Sequence, residues 1–129
     1  LKALSITTLA QVVGAVCSLE KPTILLKFEH PEQIKKVFPN KDLIPLPNDH
    51  MIFNSYYRFP NGLPKVHEHD NKPATAFGLY EKDRMILLYT YESDLGDGWE
   101  DASVHKDPWE IREASLKMGV NIVYFILTQ

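Results

Sequence analysis

The sequence predicts an α/β fold: a layered, mostly parallel sheet with flanking helices, carrying a hairpin and long ordered loops. Three observations point there. The first third alternates helical and strand-like patterns. Two strand-like runs follow, "ATAFGLY" and "RMILLYTY", separated only by Glu81-Lys82-Asp83. Near the end, "VNIVYFILT" is an unbroken apolar run directly after a helical segment, which is how a strand covered on both faces reads.

In order along the chain, Leu4, Leu9, Val12, Val13, Val16 and Leu19 recur at steps of three to five. That spacing suits an amphipathic or buried helix over 5–19, ended by Pro22. The opening "LKALSITTLAQVVGAVC" reads poorly as a targeting signal: Gly14-Ala15-Val16 before Cys17 make a weak lipobox, and Thr7, Thr8 and Gln11 interrupt the apolar run. "TILLKF" (23–28) reads as a buried strand. "HPEQIKKVFPN" reads as a helix, with Pro31 in the first turn, Glu32 complementing the dipole and Pro39-Asn40 as the stop. The stretches "DLIPLPNDH" and "RFPNGLPKVHEHDNKP" are ordered loops around a short extended piece, "MIFNSYYRF". Strands over 74–80 and 84–91 would form a hairpin, and "ESDLGDGWED" leaves the second of them as a loop. Asp107 then reads as an N-cap, with Pro108 at the first helical position and Glu110 completing a capping box. Gly119 reads as the helix end. Strand 84–91, helix 108–118 and strand 120–128 would make a right-handed crossover unit.

With 129 residues, 44% hydrophobic and 24% charged, the chain reads as one globular domain over 1–129. A net charge of −3, with 14 scattered Lys and Arg, argues against nucleic acid as a partner. One cysteine excludes an internal disulfide and a multi-cysteine zinc module. Cys17 reads as packed and inert. No transmembrane span is read in this chain, since no apolar run reaches about 20 residues.

The acidity is local. Glu92, Asp94, Asp97, Glu100 and Asp101 put −5 into ten residues that hold no base, so the rest of the chain sums to +2. This window follows a predicted strand, at the sheet edge where open α/β folds bind ligands, and Gly96 and Gly98 would let a backbone wrap a hard cation. The alternative is a solvated acidic turn anchored by Trp99. The second constellation is His67-Glu68-His69-Asp70. In an extended segment His67 and His69 point the same way, and a divalent transition metal would need a third ligand from Asp70, His50 or His105. The alternative is a polar loop held by side-chain hydrogen bonds. No G-x-S-x-G elbow and no phosphate-cradling glycine loop is present.

The ordered motifs VFP, LP-x-DH, IF, GLPK-x-HEHD, GDGWED and GVNIV, over about residues 31–129, resemble the bacterial domain-of-unknown-function family numbered 4159, in the branch seen in Bacteroidetes-like bacteria. The resemblance implies a layered fold of the flavodoxin or glutamine amidotransferase-like kind, without that activity, since no matching nucleophile is present. It implies members that look exported or membrane-tethered. Full members also carry an earlier strand region, a threonine-glycine-histidine-glycine turn, and paired glycines and aspartates around the strand matching 23–28. Here Pro22 stands for the glycines and Glu29-His30 for the aspartates, so the chain resembles either a shortened member or one whose ligand edge is degraded, and a truncated sheet would leave an exposed edge that favours a protein partner or self-association.

The leading functional expectation is a non-catalytic ligand- or partner-binding module. Its ligand-binding candidates are His67, His69, Asp70, Asp94, Asp97, Trp99 and Glu100, with a divalent cation as the candidate cofactor. The runner-up is a metal-dependent hydrolase-like enzyme, with His67, His69, Asp94 and Asp97 on the cation and Glu100 or Glu92 as general base. A third reading is a structural remnant. The distance from His67 to the acidic window separates them.

Overall fold

The computed structural model describes residues 24–26, 32–67 and 70–129. The predicted helix over 5–19 with Cys17, and the pair Glu68-His69, lie outside the described residues. The elements are β1 (Ile24–Leu26), α1 (Glu32–Val37), β2 (Ile44–Pro45), a 3₁₀ turn at Met51–Phe53, β3 (Thr75–Glu81), β4 (Arg84–Tyr91), α2 (Leu95–Trp99), α3 (Ala102–His105) and α4 (Trp109–Thr128).

The four strands lie in the order β1-β4-β3-β2. Only β1 runs parallel to its neighbour, with Ile24 opposite Leu87. The β3–β4 hairpin is antiparallel, as is the short β2–β3 pair. The predicted layered, mostly parallel sheet of flavodoxin or glutamine amidotransferase-like kind is therefore overturned, as is its crossover unit. The hairpin turns at Lys82, with φ 53°, and a register shift between Leu79 and Tyr80 lets β4 present side chains to both faces. On one face Ala76, Met85 and Leu88 pack with Ile52, Phe53, Val66, Leu95 and α4. On the other, Leu79, Leu87 and Tyr89 pack with Ile34 of α1.

The largest departure from expectation is the C-terminal third. "VNIVYFILT" is not a strand but the second half of a 20-residue helix. Its buried residues Ser115, Met118, Asn121, Ile122, Phe125 and Ile126 recur at helical spacing, while Val120, Val123, Tyr124 and Leu127 on the far side are exposed. An apolar run covered on one side only reads the same as a two-sided strand. Asn121 makes the helix specific: its Oδ1 accepts from Tyr57 N at 2.7 Å and Tyr56 N at 3.2 Å, and its Nδ2 donates to Tyr57 O at 2.8 Å. Gly119 does not end the helix. It sits inside it, where an added Cβ would meet the Trp99 ring at 3.1–3.3 Å. Gln129 closes the C-terminal end against β4, accepting from Met85 N and donating to Met85 O, each at 3.0 Å. No helix among the described residues is long and apolar enough to cross a membrane.

The piece 51–59, expected to be extended, forms the 3₁₀ turn and a series of bends. His50 caps that turn, its Nδ1 accepting from Ile52 N at 3.2 Å. Acceptance at Nδ1 leaves the proton on Nε2, which faces Tyr80 Oη at 3.2 Å. Burial lowers the His50 pKa, against a smaller opposing effect from Asp49. The neutral imidazole is thus favoured in the fold, so its contribution to stability is present above the unfolded-state value of about 6.5 and is lost as pH falls below it. Denaturant unfolding between pH 8 and 5 should show His50→Gln losing less stability on acidification than the wild type. Parallel pH profiles would contradict the assignment.

The α2–α4 contact gives a second expectation. A Cβ at Gly98 would land inside the side chain of buried Ser115, whose Oγ donates to Leu95 O at 2.7 Å. Gly98→Ala should therefore destabilise the protein by about 1–3 kcal/mol, the usual range for overpacking a filled core. The urea midpoint measures this, and an unchanged midpoint would refute the packing described.

Candidate metal centre

The site begins where β4 ends. Glu92 turns the chain with φ 55°, and His67 (51°) and Asn71 (53°) share that left-handed conformation, which is uncommon for residues other than glycine. The segment after the strand is stitched to the 64–70 loop. Ser93 Oγ donates to Pro64 O at 2.5 Å and Asp94 N to Val66 O at 2.6 Å. Asp70 N donates to Glu92 Oε1 at 2.7 Å, and Tyr91 Oη to Asp70 Oδ2 at 2.5 Å. That last bond is the main reason the Tyr91 phenol is pushed up to about 12. Lys65 Nζ lies 4.0 Å from Glu92 Oε2 and donates to Lys72 O at 2.7 Å.

These bonds on either side of His67 aim it at the residues after β4. The window predicted to be a loop contains α2, which places Asp97 in its first turn. Trp99 Nε1 donates to Ser115 O at 2.8 Å and fixes α2 on α4. Asp101 caps α3, accepting from Ser103 N at 2.9 Å and Ser103 Oγ at 2.7 Å, and these bonds lower its pKa. Lys106, at φ 56°, ends α3 in the left-handed conformation, and the turn brings His105 and Asp107 back to one place.

Two imidazoles and three carboxylates converge there. His67 Nε2 lies 2.8 and 3.0 Å from the two oxygens of Asp107 and 3.9 Å from Asp97 Oδ2. His105 Nε2 lies 2.9 Å from Glu100 Oε2 and 3.6 Å from Asp97 Oδ1. The rings meet edge to face, with centroids 5.5 Å apart. One ligand atom each from His67, Asp97 and His105 falls within 4.8 Å of the others. All three residues are partly buried, so the cluster is open to small ions.

Of the residues singled out from sequence, His67, Asp97 and Glu100 come together. Asp94 is buried at the N-cap position of α2 and is not part of this group. Asp70 and Glu92 serve the loop contacts, and Trp99 serves the packing of α2. His69 lies outside the described residues. His50, weighed as a third ligand, is instead engaged with Tyr80 and the 3₁₀ turn. His105, weighed alongside it, is the imidazole that joins His67. Asp107 was read as a helix cap. In the structure Pro108 holds the cap position of α4 without a side-chain bond, and the Asp107 carboxylate turns to His67. The spacing Asp97, Glu100, Asp101, His105, Asp107 was the available signal.

Among curated proteins no match is found. A family model described as domain of unknown function matches residues 27–127, which contain every member of the cluster. The chain therefore belongs to the domain of unknown function family DUF4159.

Proposed function

We propose that this domain is a non-catalytic ligand-binding module built around one divalent transition-metal ion, held by His67, Asp97 and His105. The observation that supports this reading is the approach of the two Nε2 atoms to opposite oxygens of the one Asp97 carboxylate, at 3.9 and 3.6 Å. With metal–ligand bonds of about 2.0–2.2 Å, neighbouring ligand atoms in a tetrahedral site stand about 3.3–3.5 Å apart. One ligand atom from each residue lies within 4.8 Å of the others, so an ion would have to draw the 64–70 loop and α3 together to close the set. Mixed imidazole and carboxylate donors suit Zn²⁺, Co²⁺ or Mn²⁺, whereas Mg²⁺ and Ca²⁺ favour oxygen alone.

Asp107 and Glu100 hydrogen-bond the same Nε2 atoms that would ligate, so an ion would replace those bonds. The two histidines come from segments far apart in sequence, one on the pinned loop and one on α3. Binding would thus tie the 64–70 loop to α3. The module is proposed as a single domain on the same ground, since its ligands come from both sides of the β3–β4 hairpin.

Metal content of the purified protein, with thermal melts in Zn²⁺, Co²⁺, Mg²⁺ or Ca²⁺, tests the reading. An ion at 100 times its dissociation constant stabilises the folded state by about 2.7 kcal/mol, so Zn²⁺ and Co²⁺ should raise Tm while Mg²⁺ does not. His67→Ala and His105→Ala should each weaken Zn²⁺ by more than the roughly 10- to 100-fold that outer-shell changes cost. Asp42→Ala, on a distant exposed loop, should bind as wild type does. Absence of any Tm shift with Zn²⁺ or Co²⁺, or histidine variants that bind normally, would sink the proposal.

A further inference from the structure

We infer that the metal site, once loaded, takes an oxyanion as its ligand, with Arg112 as the residue that reads it. This rests on the metal-binding reading above. His67, Asp97 and His105 make three protein ligands, and a three-ligand site keeps a position for an exchangeable group, whereas closed structural sites use four. The ion's surroundings are also lopsided. Asp97, Glu100, His105 and Asp107 line one shallow cleft together with Lys106 and Arg112, so two of the three ligands and two cationic side chains face the same space.

Arg112 is held there by its own contacts. Its Nε and Nη2 donate to Glu100 O at 3.3 and 3.1 Å, and the side chain of that same Glu100 pairs with His105. Its charge also helps to hold the Asp101 carboxylate below its ordinary pKa, after the bonds from Ser103. A guanidinium carries five N–H donors in a planar fork. Two of them on one carbonyl anchor the group and leave the Nη1 side for a second acceptor. Such a fork matches the two oxygens of a phosphate or carboxylate.

The charge of the cleft decides the order of events. Four carboxylates line it (Asp97, Glu100, Asp101 and Asp107) against Lys106 and Arg112, so an anion is repelled while the metal is absent. A divalent ion cancels that excess and sets a doubly positive centre among the carboxylates, and the anion would then bridge metal and guanidinium. Anion binding is therefore metal-dependent, and by linkage the anion must tighten the metal in equal measure.

The full chain loaded with Co²⁺ tests this, because the visible spectrum of Co²⁺ reports its ligands. Co²⁺ is titrated first, then inorganic phosphate in one arm and acetate in another. Saturable spectral change with either anion, and none with chloride, supports the inference, and the stronger arm separates a phosphate from a carboxylate ligand. Arg112→Gln should keep its Co²⁺ affinity and weaken the anion by roughly 10- to 100-fold, as expected for loss of a charged hydrogen-bonding group. Arg112→Lys, which keeps the charge without the fork, should fall between. A Co²⁺ spectrum indifferent to both anions overturns the oxyanion and leaves the metal site standing. Equal loss of Co²⁺ and anion affinity in Arg112→Gln makes Arg112 structural and also overturns it. Failure to bind Co²⁺ removes both proposals at once.

Discussion

The buried turn at Glu92 holds the candidate site together. The strand hands its direction to α2 through a residue with φ 55° and a side chain 1% exposed. A carboxylate so buried is costly unless it is met by donors or an opposite charge, and here Asp70 N donates to Oε1 while the Lys65 ammonium lies 4.0 Å from Oε2, both from the facing loop. The same few residues send Ser93 Oγ to Pro64 O and Asp94 N to Val66 O. The 64–70 loop is therefore fixed by its contacts with the end of β4 rather than by any regular structure of its own. Without them, nothing in the local sequence would carry His67 to Asp97. Three non-glycine residues in the left-handed region around this junction fit that account, since strained conformations persist where surrounding contacts over-determine them.

What could be read in advance divides by the range of the forces involved. The β3–β4 hairpin and α1 with its Glu32 depend on neighbours a few residues away, and turn chemistry and apolar alternation reveal those; the strand at 24–26 was legible from its apolar run, although its partner is β4. The C-terminal half of α4 does not work that way. Val120–Leu127 has branched, apolar residues that suit a strand as well as a helix. The choice was made by partners far off in the chain: Tyr56 and Tyr57, which need the amide of Asn121, and the sheet face that needs Met118, Ile122 and Phe125. Once that segment is a helix, there is no further parallel strand to extend the sheet, and the layered fold implied by resemblance is not formed.

The site was legible to the same extent and for the same reason. Histidines at 67 and 69 before a hairpin, and a cluster of acids after its second strand, marked the two loops that converge. The partners within the cluster were misassigned because each has a good local explanation. Asp107 before Pro108 and three residues before Glu110 has the spacing of a helix cap, yet its carboxylate is worth more to His67, 2.8 Å away, than to the first turn of α4. Asp94 looked equivalent to Asp97. Asp94 is the buried N-cap residue, outside the helix proper, whereas Asp97 lies in the first turn with its carboxylate 3.6 and 3.9 Å from the two imidazoles.

The electrostatics of the cluster explain why such an arrangement calls for a cationic partner. Two unit charges about 4 Å apart interact by about 4 kcal/mol at an effective dielectric constant of 20. Asp97, Glu100 and Asp107 gather around the two Nε2 atoms within distances of 2.8 to 3.9 Å. Three carboxylates so placed repel one another, and the hydrogen bonds to the two imidazoles relieve only part of it. A domain selected for stability alone would do better with fewer acids here, because surface ion pairs contribute little on average. The residues that hold the acids in place (Glu92, Trp99, Ser115 and Lys106) are committed by burial, hydrogen bonds or backbone conformation, so the repulsion cannot be relaxed by letting the loops drift apart. The +2 of the metal ion proposed above would offset that repulsion, which is the electrostatic argument for the proposal.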